Sequence, residues 1–218
     1  MLNALKEKVY EANMEVQKQN LIKYTWGNVS GVDREQNLFV IKPSGVKYED
    51  LKPEDMVVCD FDGNVIEGEL NPSSDTKTHA ALYKAYPEIG GIVHTHSPWA
   101  TIWAQAGLDV PVYGTTHADT FYGSVPCARF LTQAEIDQDY EGNTGQVIIE
   151  TFTERELNIM DVPAVLLSGH GPVVLEEVCK MNYYTLNLNE NIEDLPKRVL
   201  DKHYLRKHGK DAYYGQGR

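Results

Sequence analysis

The chain has 218 residues, of which 42% are apolar, and its formal net charge at pH 7 is -12. This length and composition can supply a full hydrophobic core, so we expect one domain over residues 1–218. No run of Lys and Arg interrupts the acidic balance, which argues against broad electrostatic binding to nucleic acid or to an anionic membrane. An anionic ligand would have to be bound by a local site.

The N-terminal segment MLNALKEKVYEANMEV has apolar residues at helical spacing and lacks the continuous apolar core of a signal peptide. No stretch of the sequence is long and apolar enough to span a bilayer. Cys59, Cys127 and Cys179 are odd in number and scattered, which favours reduced thiols in the cytosol over a disulfide framework. We therefore expect a cytoplasmic protein.

Strands and helices alternate along the first half of the chain. Apolar positions 2, 5, 9, 12 and 16 predict a first helix, and GNVSGVD and LFVIKPSG predict strands. DMVVCDFDGNVIEG predicts a hairpin that turns at Asp62 and Gly63. SSDTKTHAALYKAYP predicts a helix that begins at Ser74 or Asp75 as N-cap and ends at Pro87.

The second half continues the alternation. GGIVHTHS predicts a strand, and SPWATIWAQAG predicts a helix with Ser97 as cap, Pro98 in the first turn and Gly107 after its end. AVLLSGHG predicts a buried strand, while VVLEEVCKMNYYTLNL and PKRVLDKHYLRKHG predict helices. The whole pattern indicates a mixed α/β or α+β architecture.

Two histidines one residue apart, His94 and His96, end the strand GGIVHTH. Residues i and i+2 of a strand point to the same face, so the two imidazoles would lie side by side and could form half of a metal site. The alternative is a pair of surface histidines at the end of a strand. His170 ends AVLLSGH in the same way and is the expected third ligand, and three histidines leave a position open, as in catalytic zinc sites. Asp75 is a fourth ligand, a base or a simple N-cap. His79 is expected to pack in the interior or lie at the surface.

Three short turns indicate how an anion would be bound: WGN at 26–28, PSG at 43–45 and PSS at 72–74. Each offers small residues, backbone N–H groups and hydroxyl or amide donors, and the last also lies at a helix N-terminus. Lys42 adjoins the second turn. Each turn alone is an ordinary loop, but three of them near a metal predict a phosphate site.

Seven motifs carry a resemblance to a known family: TWGNVS, FVIKPSGV, PSSDTKTH, GGIVHTHSPWATIWAQAG, GTTHADTFYG, SGHGP and LDKHYLRKHGKDAYYGQ. Together they resemble the L-ribulose-5-phosphate 4-epimerase family of the class II aldolase and adducin superfamily. The last motif favours the epimerases over their aldolase relatives. The resemblance implies a class II aldolase-like three-layer α/β fold, with a central, mostly antiparallel sheet and helices on both sides. One departure is that SGHGP leads directly into VVLEEV, where the resemblance leads us to expect additional residues.

The resemblance also implies roles for individual residues. Zn²⁺ would be bound by His94, His96 and His170, with Asp75 close to or on the metal. The substrate phosphate would be bound by Gly27, Asn28, Ser44, Gly45, Ser73 and Ser74. Asp119 and Tyr214 would transfer protons, with Tyr214 supplied by the adjacent subunit of a homotetramer whose active sites lie at subunit interfaces.

The implied reaction interconverts L-ribulose 5-phosphate and D-xylulose 5-phosphate. The inverted carbon bears no acidic hydrogen, so the C3–C4 bond is broken by a retro-aldol step and re-formed on the other aldehyde face. A metal would stabilise the enediolate, and two acid/base groups are needed on opposite faces. The alternatives are a sugar-phosphate aldolase of the L-fuculose-phosphate type and a non-catalytic adducin-like binding module. The sequence does not distinguish arabinose breakdown from ascorbate or related sugar-acid breakdown.

Overall fold

The computed structural model describes residues 2–22, 24–169, 172–173, 182, 187, 193–205 and 208. The helices with described bounds are α1 Asn3–Lys18, α2 Thr76–Ala85, α3 Pro98–Ala106, α4 Thr115–Ala118, α5 Gln133–Glu154 and α6 Lys197–Leu205, with a short 3-10 helix at Pro53–Asp55. The strands are β1 Asn28–Asp33, β2 Leu38–Ile41, β3 Val57–Asp60, β4 Val65–Glu67, β5 Gly91–His94, β6 Cys127–Ala128, β7 Val165–Leu167 and β8 Pro172–Val173.

The larger sheet has the strand order β4-β3-β2-β1-β5, and every neighbouring pair is antiparallel. Alternate residues of β2 face opposite sides, as strand geometry requires. Phe39 and Ile41 pack with α2 and α5, whereas Val40 packs with Val9 of α1. Helices therefore cover both faces of this sheet.

The smaller sheet has the order β6-β7-β8, with β6 and β7 parallel and β7 and β8 antiparallel. Val165 and Leu167 of β7 join the core formed with α2 and α5, while Leu166 packs with Trp103 of α3 on the opposite face. Both sheets thus lie between helical layers. The predicted three-layer α/β arrangement with a mostly antiparallel sheet is confirmed.

Helices α2 and α5 pack closely beside the larger sheet. A Cβ atom on Gly145 of α5 would lie 2.7 Å from Ala81 Cβ of α2, so only glycine permits this approach. Helix α5, which the sequence analysis did not identify, is bent at Asp139, where the backbone leaves helical geometry (φ -164°, ψ 88°). The bend carries the residues after it towards the end of the larger sheet.

Helix α1 is fixed to the start of β1 by Asn13, which is fully buried. Its Nδ2 donates to the carbonyls of Val9 and Val29 at 2.7 and 3.1 Å, and its Oδ1 accepts from the Val29 N–H at 2.9 Å. The amide therefore acts as an additional backbone partner for β1. This contact holds the strand end from which the site described below is built.

Most of the predicted elements are confirmed. The hairpin turns at residues 62–63, Gly107 ends α3 with φ 66°, and Pro98 occupies its first turn. Cys59 and Cys127 are buried free thiols. The helix predicted in VVLEEVCKMNYYTLNL, the SGHGP junction and Cys179 fall largely or wholly outside the described residues. Within the described ranges, no helix combines the length and apolarity that crossing a membrane requires.

Candidate active site

One end of the larger sheet opens into a cleft of about 760 Å³. Because β1 is antiparallel to β2 and β5, its first residues lie beside the last residues of both: Asn28 pairs with His94, and Ser30 with Ile41. The cleft is lined by the predicted site residues Gly27, Asn28, Ser44, Gly45, Ser73, Ser74, Asp75, His94 and His96. Four separate segments of the sequence therefore meet in one place.

Hydrogen bonds join the three predicted anion-binding turns to one another. The Ser44 N–H donates to the Asn71 carbonyl at 2.9 Å, and the Ser73 N–H donates to the Lys42 carbonyl at 3.0 Å. Tyr48 Oη donates to the Gly27 carbonyl at 3.0 Å, which links the first turn to the second. The turns therefore form one preorganised wall of the cleft.

Gly27 is required where the first turn meets β5. Its φ is 86°, and a Cβ atom there would lie 2.8 Å from the His94 carbonyl oxygen and 2.4 Å from Ile22 Cδ1. Any larger residue would push this turn away from the strand that carries the histidines. The close approach places this predicted anion-binding turn directly beside His94.

Lys42 lies under the second turn and is almost completely buried. Its Nζ donates to the Val46 carbonyl at 2.7 Å and to the Pro43 carbonyl at 3.3 Å, and lies 4.7 Å from the centre of the Tyr48 ring. Burial lowers the pKa of Lys42 to about 8. This amine therefore closes the turn around Ser44 and brings a titratable positive charge to the cleft wall.

Asp75 occupies the N-cap position of α2, but its side chain makes no capping hydrogen bond. Its Oδ2 accepts a hydrogen bond from Asn28 Nδ2 at 2.6 Å instead. A carboxylate offers only acceptors, so this contact fixes which end of the Asn28 amide faces Asp75. Asn28 thus orients the carboxylate at the cleft rather than leaving it to cap the helix.

The Nε2 atoms of His94 and His96 lie 3.1 Å apart, although β5 ends at His94. Two imidazoles on one tetrahedral zinc, with Zn–N bonds near 2.0–2.1 Å, would place their nitrogens about 3.3 Å apart. The spacing therefore fits two corners of such a site, and it equally allows a shared N–H···N hydrogen bond. Among the described residues, no group of three or more His, Cys, Asp or Glu side chains is arranged to hold a metal ion.

His79 lies one turn beyond Asp75 in α2 and is fully buried, which confirms the first of the two places expected for it. Its Nδ1 is 2.7 Å from Ser30 Oγ, which is also 2.7 Å from Tyr83 Oη. Burial lowers the pKa of His79 well below its usual value and outweighs the nearby negative charge of Asp75, which acts to raise it. The imidazole ring is therefore neutral at pH 7. This polar network fixes α2 to β1 beneath the cleft.

Residues 7–192 match the family model described as the class II aldolase and adducin N-terminal domain. The chain belongs to the class II aldolase and adducin family. Members of this family are typically metal-dependent enzymes that use Zn²⁺. The class II aldolase fold predicted from the sequence is therefore confirmed together with the family.

Similar solved structures include an L-fuculose 1-phosphate aldolase at 26% identity and a TM-score of 0.74, which covers 92% of this chain and 94% of that one. Another L-fuculose 1-phosphate aldolase, from Glaciozyma antarctica PI12, is 18% identical with a TM-score of 0.74 and coverages of 97% and 84%. YgbL from Escherichia coli, described only broadly as an aldolase, epimerase or decarboxylase, is 22% identical with a TM-score of 0.69 and coverages of 92% and 97%. The last two show the shared class II aldolase fold alone.

Among the described site residues, Asp119 alone lies apart from the cleft wall. Asp119 follows α4 and is not among the residues that line the cleft. Its backbone carbonyl accepts a hydrogen bond from His208 Nε2 at 3.1 Å. His170 and Tyr214 lie outside the described residues, although Gly169, next to His170, lines the cleft.

Several residues that line the cleft of this class II aldolase fold were not predicted from the sequence. Tyr140 and Glu141 reach it from α5, after the bend. Thr101, Ile102 and Gln105 line it from α3, at the i, i+1 and i+4 spacing of one helix face. Trp26 also lines it, although only its turn was named. For the α3 residues, the helical spacing was the available sequence signal.

Proposed function

We propose that the chain breaks and re-forms a carbon–carbon bond of a sugar phosphate, and that its reaction is the 4-epimerisation that interconverts L-ribulose 5-phosphate and D-xylulose 5-phosphate. One observation carries this proposal: a single cleft brings the hydrogen-bonded anion-binding turns together with the facing imidazoles of His94 and His96 and the carboxylate of Asp75. A phosphate site beside a half-formed metal site suits a phosphorylated substrate with polarisable oxygens.

The metal in this proposal is Zn²⁺, held by His94, His96 and His170 with Asp75 on or beside it. The imidazole spacing of 3.1 Å supports the choice, as does the nitrogen-rich donor set. When bound, Zn²⁺ supplies a Lewis acid that stabilises the negative charge developing on the substrate oxygens during bond cleavage.

The three turns bind the substrate phosphate in this proposal. The Ser44 and Ser73 N–H groups already bond to the Asn71 and Lys42 carbonyls, so these two residues contribute their hydroxyls. The other donors to the phosphate oxygens are the backbone N–H groups of Gly27, Gly45 and Ser74, the Ser74 hydroxyl and the second N–H of the Asn28 amide, and the Lys42 ammonium adds positive charge. Retro-aldol cleavage between C3 and C4 leaves the phosphate on the detached glycolaldehyde fragment. The turns therefore keep that fragment bound while its aldehyde presents its other face.

Proton transfer is assigned to Asp119 and Tyr214. The C4 hydroxyl must lose its proton as the C3–C4 bond breaks and regain one from the other side as the bond re-forms, which requires two groups on opposite faces. The THAD and AYYGQ motifs support these residues. In this proposal Asp119 belongs to the same chain as the histidines, and its role rests on the motif, since it does not line the cleft among the described residues. Tyr214 comes from the adjacent subunit of a homotetramer whose active sites lie at subunit interfaces.

A second candidate is an aldolase that releases both fragments. The 26% identity to an L-fuculose 1-phosphate aldolase over 92% of this chain favours it. The two reactions share the cleavage step and differ in whether the detached aldehyde is retained. The resemblance of the C-terminal LDKHYLRKHGKDAYYGQ motif to the epimerases favours the epimerase.

Product analysis with L-ribulose 5-phosphate and zinc-loaded protein separates the candidates. The epimerase forms D-xylulose 5-phosphate, which has the same mass as the substrate. An aldolase releases glycolaldehyde phosphate and dihydroxyacetone, or cleaves L-fuculose 1-phosphate when that sugar is supplied. If neither sugar phosphate is converted, both enzymatic proposals fail and the adducin-like binding module takes their place.

A further inference from the structure

Trp26 is an exposed aromatic residue inside the cleft. Its side chain lines the cleft yet is 53% exposed, whereas Trp103 is buried and Trp99 is partly buried. Its ring centre lies 5.8 Å from that of His96 and 5.1 Å from that of Tyr24. An indole left open to solvent in a cleft is a surface available for an apolar part of a ligand.

Trp26 lies next to both polar parts of the site, the first predicted anion-binding turn and the histidine pair. It directly precedes Gly27 and Asn28 of the first anion-binding turn, and its ring meets the imidazole of His96 on the other side. A sugar phosphate with its phosphate at the turns and its carbonyl end near the histidines must run past this ring. The carbon chain, with its C–H bonds, is the part of the ligand that would cover the indole.

We propose that Trp26 packs its indole ring against the carbon chain of the bound sugar phosphate and retains the detached aldehyde fragment in the cleft. This assignment rests on the proposed function. Trp26 makes a large contact at little entropic cost, because its side chain has only two rotatable bonds and two neighbouring rings already restrict it. It is a specificity-determining residue, since retention of the fragment separates epimerisation from simple cleavage.

The first test compares Trp26→Ala, Trp26→Leu and Trp26→Phe by kinetics with L-ribulose 5-phosphate. Loss of one aromatic contact should raise KM about two- to tenfold, with kcat for cleavage largely unchanged. Free glycolaldehyde phosphate should appear with the Ala and Leu variants and stay low with Phe, which keeps a ring. Leu108→Ala is the matched control, because Leu108 is also 53% exposed and does not line the cleft.

The second test measures tryptophan emission in the zinc-loaded protein. L-Ribulose 5-phosphate should change the emission of the wild type, because it covers the one exposed tryptophan of the described residues, and the change should disappear in Trp26→Phe. Inorganic phosphate should bind to the turns with little change in emission, because it does not reach along the ring.

The outcomes separate this assignment from the proposed function. If the wild type converts the sugar phosphate but Trp26→Ala and Trp26→Leu keep its KM and release no free aldehyde, the Trp26 assignment is overturned and the proposed function stands. If the wild type neither converts the sugar phosphate nor changes its emission with it, both are overturned. Raised KM, leakage of aldehyde and loss of the emission change together support the assignment.

Discussion

Lys42→Met is the substitution that tests the phosphate site most sharply. Methionine keeps the length of the buried stem and removes the ammonium group that donates to Val46 at 2.7 Å and to Pro43 at 3.3 Å. A hydrogen bond that involves a charged group contributes about 1.5–3 kcal/mol. If removal of the ammonium charge weakens the free energy of anion binding by about 2–3 kcal/mol, the affinity for phosphate should fall roughly 30- to 150-fold.

The same substitution should leave the fold intact. Burial lowers the pKa of Lys42 to about 8 from 10.5, so the charged amine is disfavoured in the folded chain. Between about pH 8 and pH 10.5 the unfolded chain binds more protons at Lys42 than the folded chain does. The free energy of unfolding of the wild type should therefore rise with pH over this range. Lys42→Met should lack this rise and should unfold near the wild-type temperature at neutral pH.

Anion binding should follow the opposite trend. As the pH rises through about 8, Lys42 loses its proton, and the affinity of the wild type for inorganic phosphate should decline. Isothermal titration calorimetry with inorganic phosphate measures this without any turnover. Lys47→Met is the matched control, because Lys47 is an exposed lysine nearby that pairs with Glu49 at 3.5 Å. Equal phosphate affinities and pH profiles for Lys42→Met and the wild type would refute the reasoning.

Four further substitutions test other parts of the site. His96→Asn should lose bound zinc and activity while it keeps its fold, and elemental analysis showing a full complement of zinc with normal turnover would contradict the metal assignment. Asn28→Ala removes the 2.6 Å hydrogen bond to Asp75 and one donor of the proposed phosphate site, so KM should rise and glycolaldehyde phosphate should leak into solution. An unchanged KM without leakage would count against a role of Asn28 in phosphate binding. Tyr214→Phe should slow epimerisation about a hundredfold with zinc retained. Mixing it with Asp119→Asn should restore part of the activity if the two groups lie on different chains, whereas no recovery in mixed tetramers seen by native mass spectrometry would exclude that arrangement.

Local patterns predicted the parts of the fold that local chemistry determines. The β-branched residues in 28–33, the apolar run at 38–41 and the turn at Gly63 predict β1, β2 and the β3–β4 hairpin. Pro98 and Gly107 specify the ends of α3. The three turns of the cleft wall could be located for the same reason, since small residues and backbone donors cluster there within a few positions, and their role in anion binding stays a prediction.

Helix α5 was missed because its pattern is weak and interrupted. The segment QDYEGNTGQ contains two glycines and several polar residues, and the backbone leaves helical geometry at Asp139. The capping box of Thr132 and Glu135 was the available signal for its start. Without the helix, Tyr140 and Glu141 could not be placed at the cleft.

The buried polar groups were also beyond reach of the sequence, because their partners are distant along the chain. Asn13 bonds to Val29, sixteen residues away, and Ser30 bonds to His79, forty-nine residues away. Each contact needs the strand register and the helix packing to be known first. The N-cap position of Asp75 was predictable, whereas its contact with Asn28, forty-seven residues away, was not.

Cleavage of the C3–C4 bond is tested most directly by L-ribulose 5-phosphate that carries deuterium at C4. A retro-aldol step leaves the C4–H bond intact, so the zinc-loaded protein should form D-xylulose 5-phosphate at nearly the unlabelled rate and with the label fully retained at C4. Removal of hydrogen from C4 would instead break that bond. A large primary isotope effect, or loss of deuterium to water, would contradict the proposed carbon–carbon cleavage.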